Sequence, residues 1–152
     1  APPPHRMAEV ATVDGVRFID DSKATNIGAL QAALAGCEAP VVLIAGGRDK
    51  GGDYALLREV VAARVKRLVL IGEAAPLMRA ALAPVVPCES AGDMADAVRR
   101  AVAATVPGDL VLLAPGCASF DMFSGYAERG RVFVDCVRRL QAERAGRGEV
   151  GA

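Results

Sequence analysis

Seven consecutive residues, Asp20-Asp21-Ser22-Lys23-Ala24-Thr25-Asn26, bring together two carboxylates, an ammonium, two hydroxyls and an amide. Such a set can hold an anion, grip a sugar hydroxyl or move a proton. Apolar, β-prone Val16-Arg17-Phe18-Ile19 precedes it, and an Ala/Leu-rich run follows from Ile27. The cluster therefore falls where a strand gives way to a helix. Helix-start N–H groups have no intrahelical partner and carry partial positive charge, which suits anionic ligands. A well-capped strand–helix turn accounts for the same residues equally well.

Two further loops have the composition of a site. Gly46-Gly47-Arg48-Asp49-Lys50-Gly51-Gly52-Asp53 sets four glycines around one lysine. Glycine lets backbone N–H groups approach an anion closely, and lysine adds a mobile positive charge. The spacing is neither that of a Walker A loop nor Gly-x-Gly-x-x-Gly, which counts against a generic dinucleotide site. A flexible glycine loop with a solvated lysine is the plainer alternative. Ala114-Pro115-Gly116-Cys117-Ala118-Ser119-Phe120-Asp121 places the Ser119 hydroxyl and the Phe120 backbone where they would suit a carboxylate. A Ser/His/Asp triad is not credible on the sequence, because the only histidine, His5, lies at the other end of the chain. Cys117 has no visible base and reads as a buried structural thiol. Asp20, Asp21, Asp49, Asp53 and Asp121 are candidates for acid/base work, although capping and solvated loops explain most of them.

The elements that must position these loops follow from the apolar pattern. Residues 8–13 and 16–20 read as strands joined by the hairpin signal Asp14-Gly15. Residues 27–35 read as a helix closed by Gly36 in a left-handed cap. Val41–Ala45 is an unbroken apolar run, as a central parallel strand requires. Asp53 can cap a helix over 54–64. A strand at 67–71, a helix at 75–82 and a short strand near Val85-Val86 follow. Ser90 with Asp93 resembles a capping box for a helix reaching about Ala104. Leu110–Leu113 is the last strand, and a final helix runs from about Tyr126 to the Arg138-Arg139 region. Strands and helices alternate, so the predicted fold is α/β: a Rossmann-like three-layer sandwich with a mostly parallel sheet of about six strands and an N-terminal β-hairpin. Parallel topology would bring all three loops to the carboxyl edge of the sheet, where such folds bind ligands.

The 152 residues suit a single domain, with residues 1–4 (Ala1-Pro2-Pro3-Pro4) as a stiff linker and about 145–152 as a frayed tail. Hydrophobic residues make up 53% and aromatics 4%, so the core is aliphatic. Eighteen basic and eighteen acidic residues balance to zero, without a block of like charge. Nucleic acid and anionic membranes are thus disfavoured as partners. Cys37, Cys88, Cys117 and Cys136 form no Cys-x-x-Cys pair and read as reduced thiols of a cytoplasmic protein, not as a zinc site. No apolar run reaches the ~18–20 residues needed to span a bilayer.

Five motifs in unbroken order carry a resemblance: Pro4-His5-Arg6, DSKATN at Asp21–Asn26, GG-x-x-KG at Gly46–Gly51, CASFDMF at Cys117–Phe123, and ERG at Glu128–Gly130. Together they resemble the C-terminal domain of a Mur ligase. The resemblance implies ATP-driven amide formation in peptidoglycan synthesis. A muramoyl-alanine carboxylate would be phosphorylated to an acyl phosphate, and an incoming amino acid, D-glutamate, would displace phosphate. It further implies a D-glutamate clamp made by Thr25, Lys50, Ser119, the backbone at Phe120, and Tyr126, where the family often has phenylalanine. Arg6 would reach nucleotide phosphate and Asp21 the ribose region, Lys23 would support acyl-phosphate charge as the catalytic lysine, and His5 would hold the hinge segment. Gly116 stands where alanine is common. ATP and Mg2+ would be bound mainly by a central P-loop domain of the same protein, and the present chain alone would be inert.

Three alternatives stay open on the residues alone. One is a sister Mur ligase adding another amino acid. Another is a generic Rossmann-like nucleotide-binding module, and the last is an interaction domain whose loops are incidental. The loop lysine and the SFDMF stretch favour glutamate over a diamino acid, whose distal amine would want an acidic partner.

Overall fold

The computed structural model describes residues 4–119 and 122–151. Its centre is a six-stranded sheet in the order β1-β2-β6-β3-β4-β5. The strands are β1 (Ala8–Val13), β2 (Val16–Asp20), β3 (Val41–Gly46), β4 (Val65–Ile71), β5 (Cys88–Ser90) and β6 (Leu110–Leu113). β1 pairs antiparallel with β2 through the Asp14-Gly15 turn, and all other pairs are parallel. Five α-helices are described: α1 (Ile27–Ala35), α2 (Arg58–Arg64), α3 (Ala75–Leu82), α4 (Met94–Ala103) and α5 (Tyr126–Gly151). A 3-10 turn over Tyr54–Leu57 leads into α2.

Two apolar layers follow from the period-two alternation of strand side chains. Val41, Leu43 and Ala45 face Leu30 and Leu34 of α1, Val61 of α2 and Met78 of α3. Val42 and Ile44 face Met94 and Val98 of α4 and Phe133 and Val137 of α5. Every residue of β3 is buried, which is why that run carries no polar face. The three-layer sandwich expected from the sequence is thus the fold observed. No described helix is long and apolar enough to cross a membrane.

Several local expectations are corrected. Gly36 closes α1 at φ −82°, in right-handed geometry, with its N–H bonded to the Ala32 carbonyl. The fifth strand is Cys88–Ser90 and not Val85-Val86. The N–H groups of Val85 and Val86 both turn back to the Leu82 carbonyl, at 3.0 and 3.1 Å, and wrap the end of α3. Val86 serves as a core anchor, 3% exposed. Ser90 ends β5, and Asp93 caps α4 by accepting from the Asp96 N–H, while the Asp96 carboxylate accepts from Gly92 N–H. The N-cap therefore lies three residues later than expected, and the return bond reaches the residue before it instead of closing a capping box. Asp53 caps as predicted, accepting from Ala55 N–H, but the first turn it caps is 3-10. Pro4 and His5 lie in a turn, and residues 1–3 of the expected linker lie outside the described residues. α5 continues past Arg139 to Gly151, through the glycines read as a tail.

Candidate functional site

β6 lies between β2 and β3 in the sheet, so the loops after β2 and β3 leave on either side of it. All three loops converge at the carboxyl edge, and backbone hydrogen bonds stitch them together. Asp21 N–H donates to Leu113 O (2.8 Å), Gly116 N–H to Ala24 O (2.8 Å), Gly46 N–H to Pro115 O (2.9 Å) and Arg48 N–H to Ala118 O (2.8 Å). Gly47 makes the last contact possible. Its φ is 139°, and a Cβ there would overlap the Ala118 carbonyl oxygen. Glycine is required at that position by both conformation and space.

A cavity of about 320 Å³ opens between these loops. Its wall includes Thr25, the start of α1 at Asn26–Gly28, Arg48, Lys50, Tyr54 and Cys117. Asn26 caps α1 by accepting from Ala29 N–H at 2.8 Å. The first-turn N–H groups of α1 therefore bring partial positive charge to the cavity. Arg48 and Lys50 add two full charges, and the described lining contains no carboxylate. The cavity suits an anion bearing more than one carboxylate. Tyr54 is buried and donates to Asp49 Oδ1 at 2.7 Å, with Cys117 Sγ 3.5 Å from its hydroxyl. Burial first, then the bonds to Cys117 and Asp49, push the Tyr54 phenol far above its ordinary value. Tyr54 thus stays a neutral donor. Cys117 is 2% exposed, with Met78 Sδ 3.9 Å from its sulfur, consistent with a structural thiol.

A second group surrounds the leading segment. Asp20 Oδ2 lies 2.7 Å from His5 Nδ1, and Asp20 Oδ1 accepts from Ser22 N–H at 2.9 Å. Asp21 Oδ1 accepts from Met7 N–H at 3.1 Å, and Lys23 N–H donates to His5 O at 3.0 Å. His5 and Met7 have φ of 65° and 44°, in the left-handed region. Non-glycine residues there cost about 1–3 kcal/mol each and persist where their surroundings over-determine them. Arg6, between them, is exposed. Asp21 is 5% exposed. Burial is the main cause that raises its carboxyl above the ordinary range, helped by the neighbouring Asp20 charge. The Met7 N–H and Arg6 oppose the shift. Tyr126, at the start of α5, stands edge-on to His5 with centroids 6.3 Å apart, and Lys23 Nζ lies 6.0 Å from the Tyr126 ring.

The structure thus divides the residues singled out by sequence. Thr25 and Lys50 share the cavity. Arg6, Asp21, Lys23 and Tyr126 gather around His5. Ser119 is buried and joins neither group, with its carbonyl accepting from Met122 and Phe123 N–H. Phe120 and Asp121 lie outside the described residues. Asp49, Asp53 and Asp20 are engaged in loop, cap and His5 contacts. Sequence reasoning missed Arg48 as a second cavity cation, although a charge set inside a glycine loop was signal enough. It also missed Arg129, 0% exposed, whose Nη2 donates to Ser22 O at 3.1 Å. Among the described residues no group of three or more His, Cys, Asp or Glu could hold a metal ion. The Mg2+ that the resemblance implies is therefore assigned to no residue here.

The α/β sandwich with three loops stitched together at its carboxyl edge is the fold of a C-terminal ligase domain by sequence comparison, and the chain belongs to the Mur ligase family. Residues 5–117 match that family's glutamate ligase domain. The UDP-N-acetylmuramoylalanine--D-glutamate ligase of Syntrophotalea carbinolica is 50% identical over 137 residues, covering 90% of this chain and 30% of that protein. The chain thus spans about a third of the length of the curated relatives it matches. In fold it resembles a crystallised domain from a UDP-N-acetylmuramate:L-alanyl-gamma-D-glutamyl-diaminopimelate ligase of Haemophilus ducreyi. The TM-score is 0.62 at 16% identity, over 91% of this chain and 99% of that one. It also resembles a bifunctional folylpolyglutamate synthase/dihydrofolate synthase of Yersinia pestis, solved with AMPPNP and a manganese ion. Here the TM-score is 0.61 at 19% identity, over 89% of this chain and 32% of that one.

Proposed function

We propose that this chain is the C-terminal domain of an ATP-dependent ligase that joins D-glutamate to UDP-N-acetylmuramoyl-L-alanine in cytoplasmic peptidoglycan synthesis. The observation that carries the reading is the cavity with Arg48, Lys50, Thr25 and the α1 N-terminus on its wall. It occurs in a chain half identical to a ligase of that name. D-Glutamate carries two carboxylates, and the cavity offers two cations, a hydroxyl and helix-start N–H groups to meet them. A diamino acid would bring its distal ammonium against Arg48 and Lys50, so the same wall selects against it.

In the reaction proposed, a carboxylate oxygen of the muramoyl-alanine attacks the γ-phosphorus of ATP and ADP leaves. The amine of D-glutamate then adds to the acyl carbon, and the tetrahedral adduct collapses by expelling phosphate as the nitrogen loses its proton. This chain supplies the incoming amino acid in a fixed pose, which is where positioning lowers the barrier. Thr25 and Lys50, on the cavity wall, would grip its carboxylates; the family resemblance adds Ser119, the Phe120 backbone and Tyr126, which in this chain stands against His5, to the same ligand. Lys23 is set to balance charge on the acyl phosphate. Arg6 and Asp21 face the nucleotide, Arg6 its phosphates and Asp21 its ribose. ATP with its Mg2+ is held mainly by a central P-loop domain.

The test uses the full-length ligase that contains this domain. Replacing Lys50 by Ala removes a charge-assisted hydrogen bond worth about 1.5–3 kcal/mol, so KM for D-glutamate should rise about 10- to 100-fold with KM for ATP little changed. Unaltered D-glutamate kinetics in that variant would overturn the assignment. Turnover with meso-diaminopimelate equal to that with D-glutamate would overturn the specificity.

A further inference from the structure

We infer that Asp20 and His5 form a positioning pair that sets the direction of Arg6 toward its ligand. The inference rests on the proposal that Arg6 meets the nucleotide. Asp20 is 2% exposed and sits at the end of β2. One of its oxygens holds His5 Nδ1 at 2.7 Å, while the other takes Ser22 N–H at 2.9 Å, so the carboxylate cannot swing away without losing both. The His5 carbonyl is held in turn by Lys23 N–H, and Met7 N–H by Asp21 Oδ1. Both neighbours of Arg6 are therefore tied to the loop after β2, in left-handed conformations that the ties must maintain. The Arg6 side chain itself remains exposed.

α5 locks the same pair from the other side. Gly130 passes so close that a Cβ on it would overlap His5 Nδ1 and Ser22 Oγ and lie 2.8 Å from Asp20 Oδ2. His5 is thus boxed in by β2, the loop after it, Gly130 and the Tyr126 ring. An imidazole held this way fixes its own backbone, and with it the root of the next side chain. Neither Asp20 nor His5 needs to touch substrate for Arg6 to depend on them.

The experiment is a double-mutant cycle in the full-length ligase. Asp20→Ala should raise KM for ATP and lower kcat by a combined ~10- to 100-fold, the scale expected when a ligand-contacting group is misplaced by about 1 Å. KM for D-glutamate should rise less than KM for ATP, since neither Asp20 nor His5 is on the cavity wall, although the loop they brace also carries Thr25. Asp20→Asn keeps one oxygen to accept from Ser22 N–H and turns its amide NH2 to donate to His5 Nδ1 in the Nε2–H tautomer, and should restore most of the loss. The deciding readout is coupling: adding Asp20→Ala to Arg6→Ala should cost little beyond Arg6→Ala alone. Effects that multiply, or an Asp20→Ala enzyme that melts earlier but turns over normally, would overturn the inference and leave a structural role. If Asp20→Ala does not fold, His5→Ala runs the same cycle from a half-buried position. An Arg6→Ala enzyme with normal ATP kinetics would sink the underlying nucleotide reading and this inference with it. An Arg6 effect without coupling sinks the inference alone.

Discussion

Asp21 shows how a single residue records a conflict between stability and use. Its carboxyl is raised above 3.8, the ordinary value, chiefly by burial. A group whose folded value is raised contributes stability fully below its unfolded value, and loses that contribution as pH rises through the folded value. At neutral pH the charged Asp21 is therefore a cost to the fold. Asp21→Asn keeps an acceptor for Met7 N–H and removes the buried charge. It should melt higher than the native protein at pH 7, with the gain fading as pH falls toward 3.8. Melting curves of the two proteins across that range check it, and a gain independent of pH would rule burial out as the cause. Retention of a costly charge beside Arg6 is what a ligand site would demand. None of this was legible in the sequence, which showed an acid before Ser-Lys but not the 5% exposure that gives it its character. Tyr54 was equally silent. Its hydroxyl donates to Asp49 and reaches Cys117, 63 positions further along the chain, and Tyr54→Phe should cost about 1 kcal/mol in a denaturant titration.

At the level of elements, the sequence spoke clearly wherever one face or one run decided the outcome. β3 and β6 are unbroken aliphatic segments and lie where expected, because a strand buried on both faces has no polar choice to make. Val85-Val86 misled for the same reason: apolar character marks burial, and burial does not require a strand. The three-loop convergence was legible from alternation alone, since parallel strands put their carboxyl ends together. The stitching among loops was not, because contacts such as Arg48 to Ala118 join residues far apart in sequence. Gly130 gives a test in which local preference and packing oppose each other. It lies inside α5, where alanine is the better helix former by about 1 kcal/mol. A Cβ there, however, would overlap His5 and Ser22 and press on Asp20. Gly130→Ala should therefore destabilise the fold, by about 1–3 kcal/mol as overpacking does. A melting temperature raised by this substitution would show that the α5 junction is loose.

The whole chain has the two complete apolar layers of a self-sufficient unit, one on each face of the sheet. The comparable Haemophilus ducreyi chain, nearly all of it matched here, crystallised as a domain. These facts argue that the 152-residue polypeptide folds alone and unfolds in one cooperative transition, as chains near 150 residues usually do. Folding and function should then separate. The chain is about a third of its curated relatives, and the proposed reaction needs a nucleotide and a muramoyl substrate held by the remainder. On the proposed reading the cavity would meet the amino acid, while the exposed Arg6, beside the buried Asp21, would face an approaching second domain. The isolated chain, supplied with ATP, UDP-N-acetylmuramoyl-L-alanine and D-glutamate, should therefore give a sharp melting transition and no ADP. ADP release in step with ligation from this polypeptide alone would place the nucleotide site within it. A broad, non-cooperative melt would show instead that its core needs the neighbouring domains.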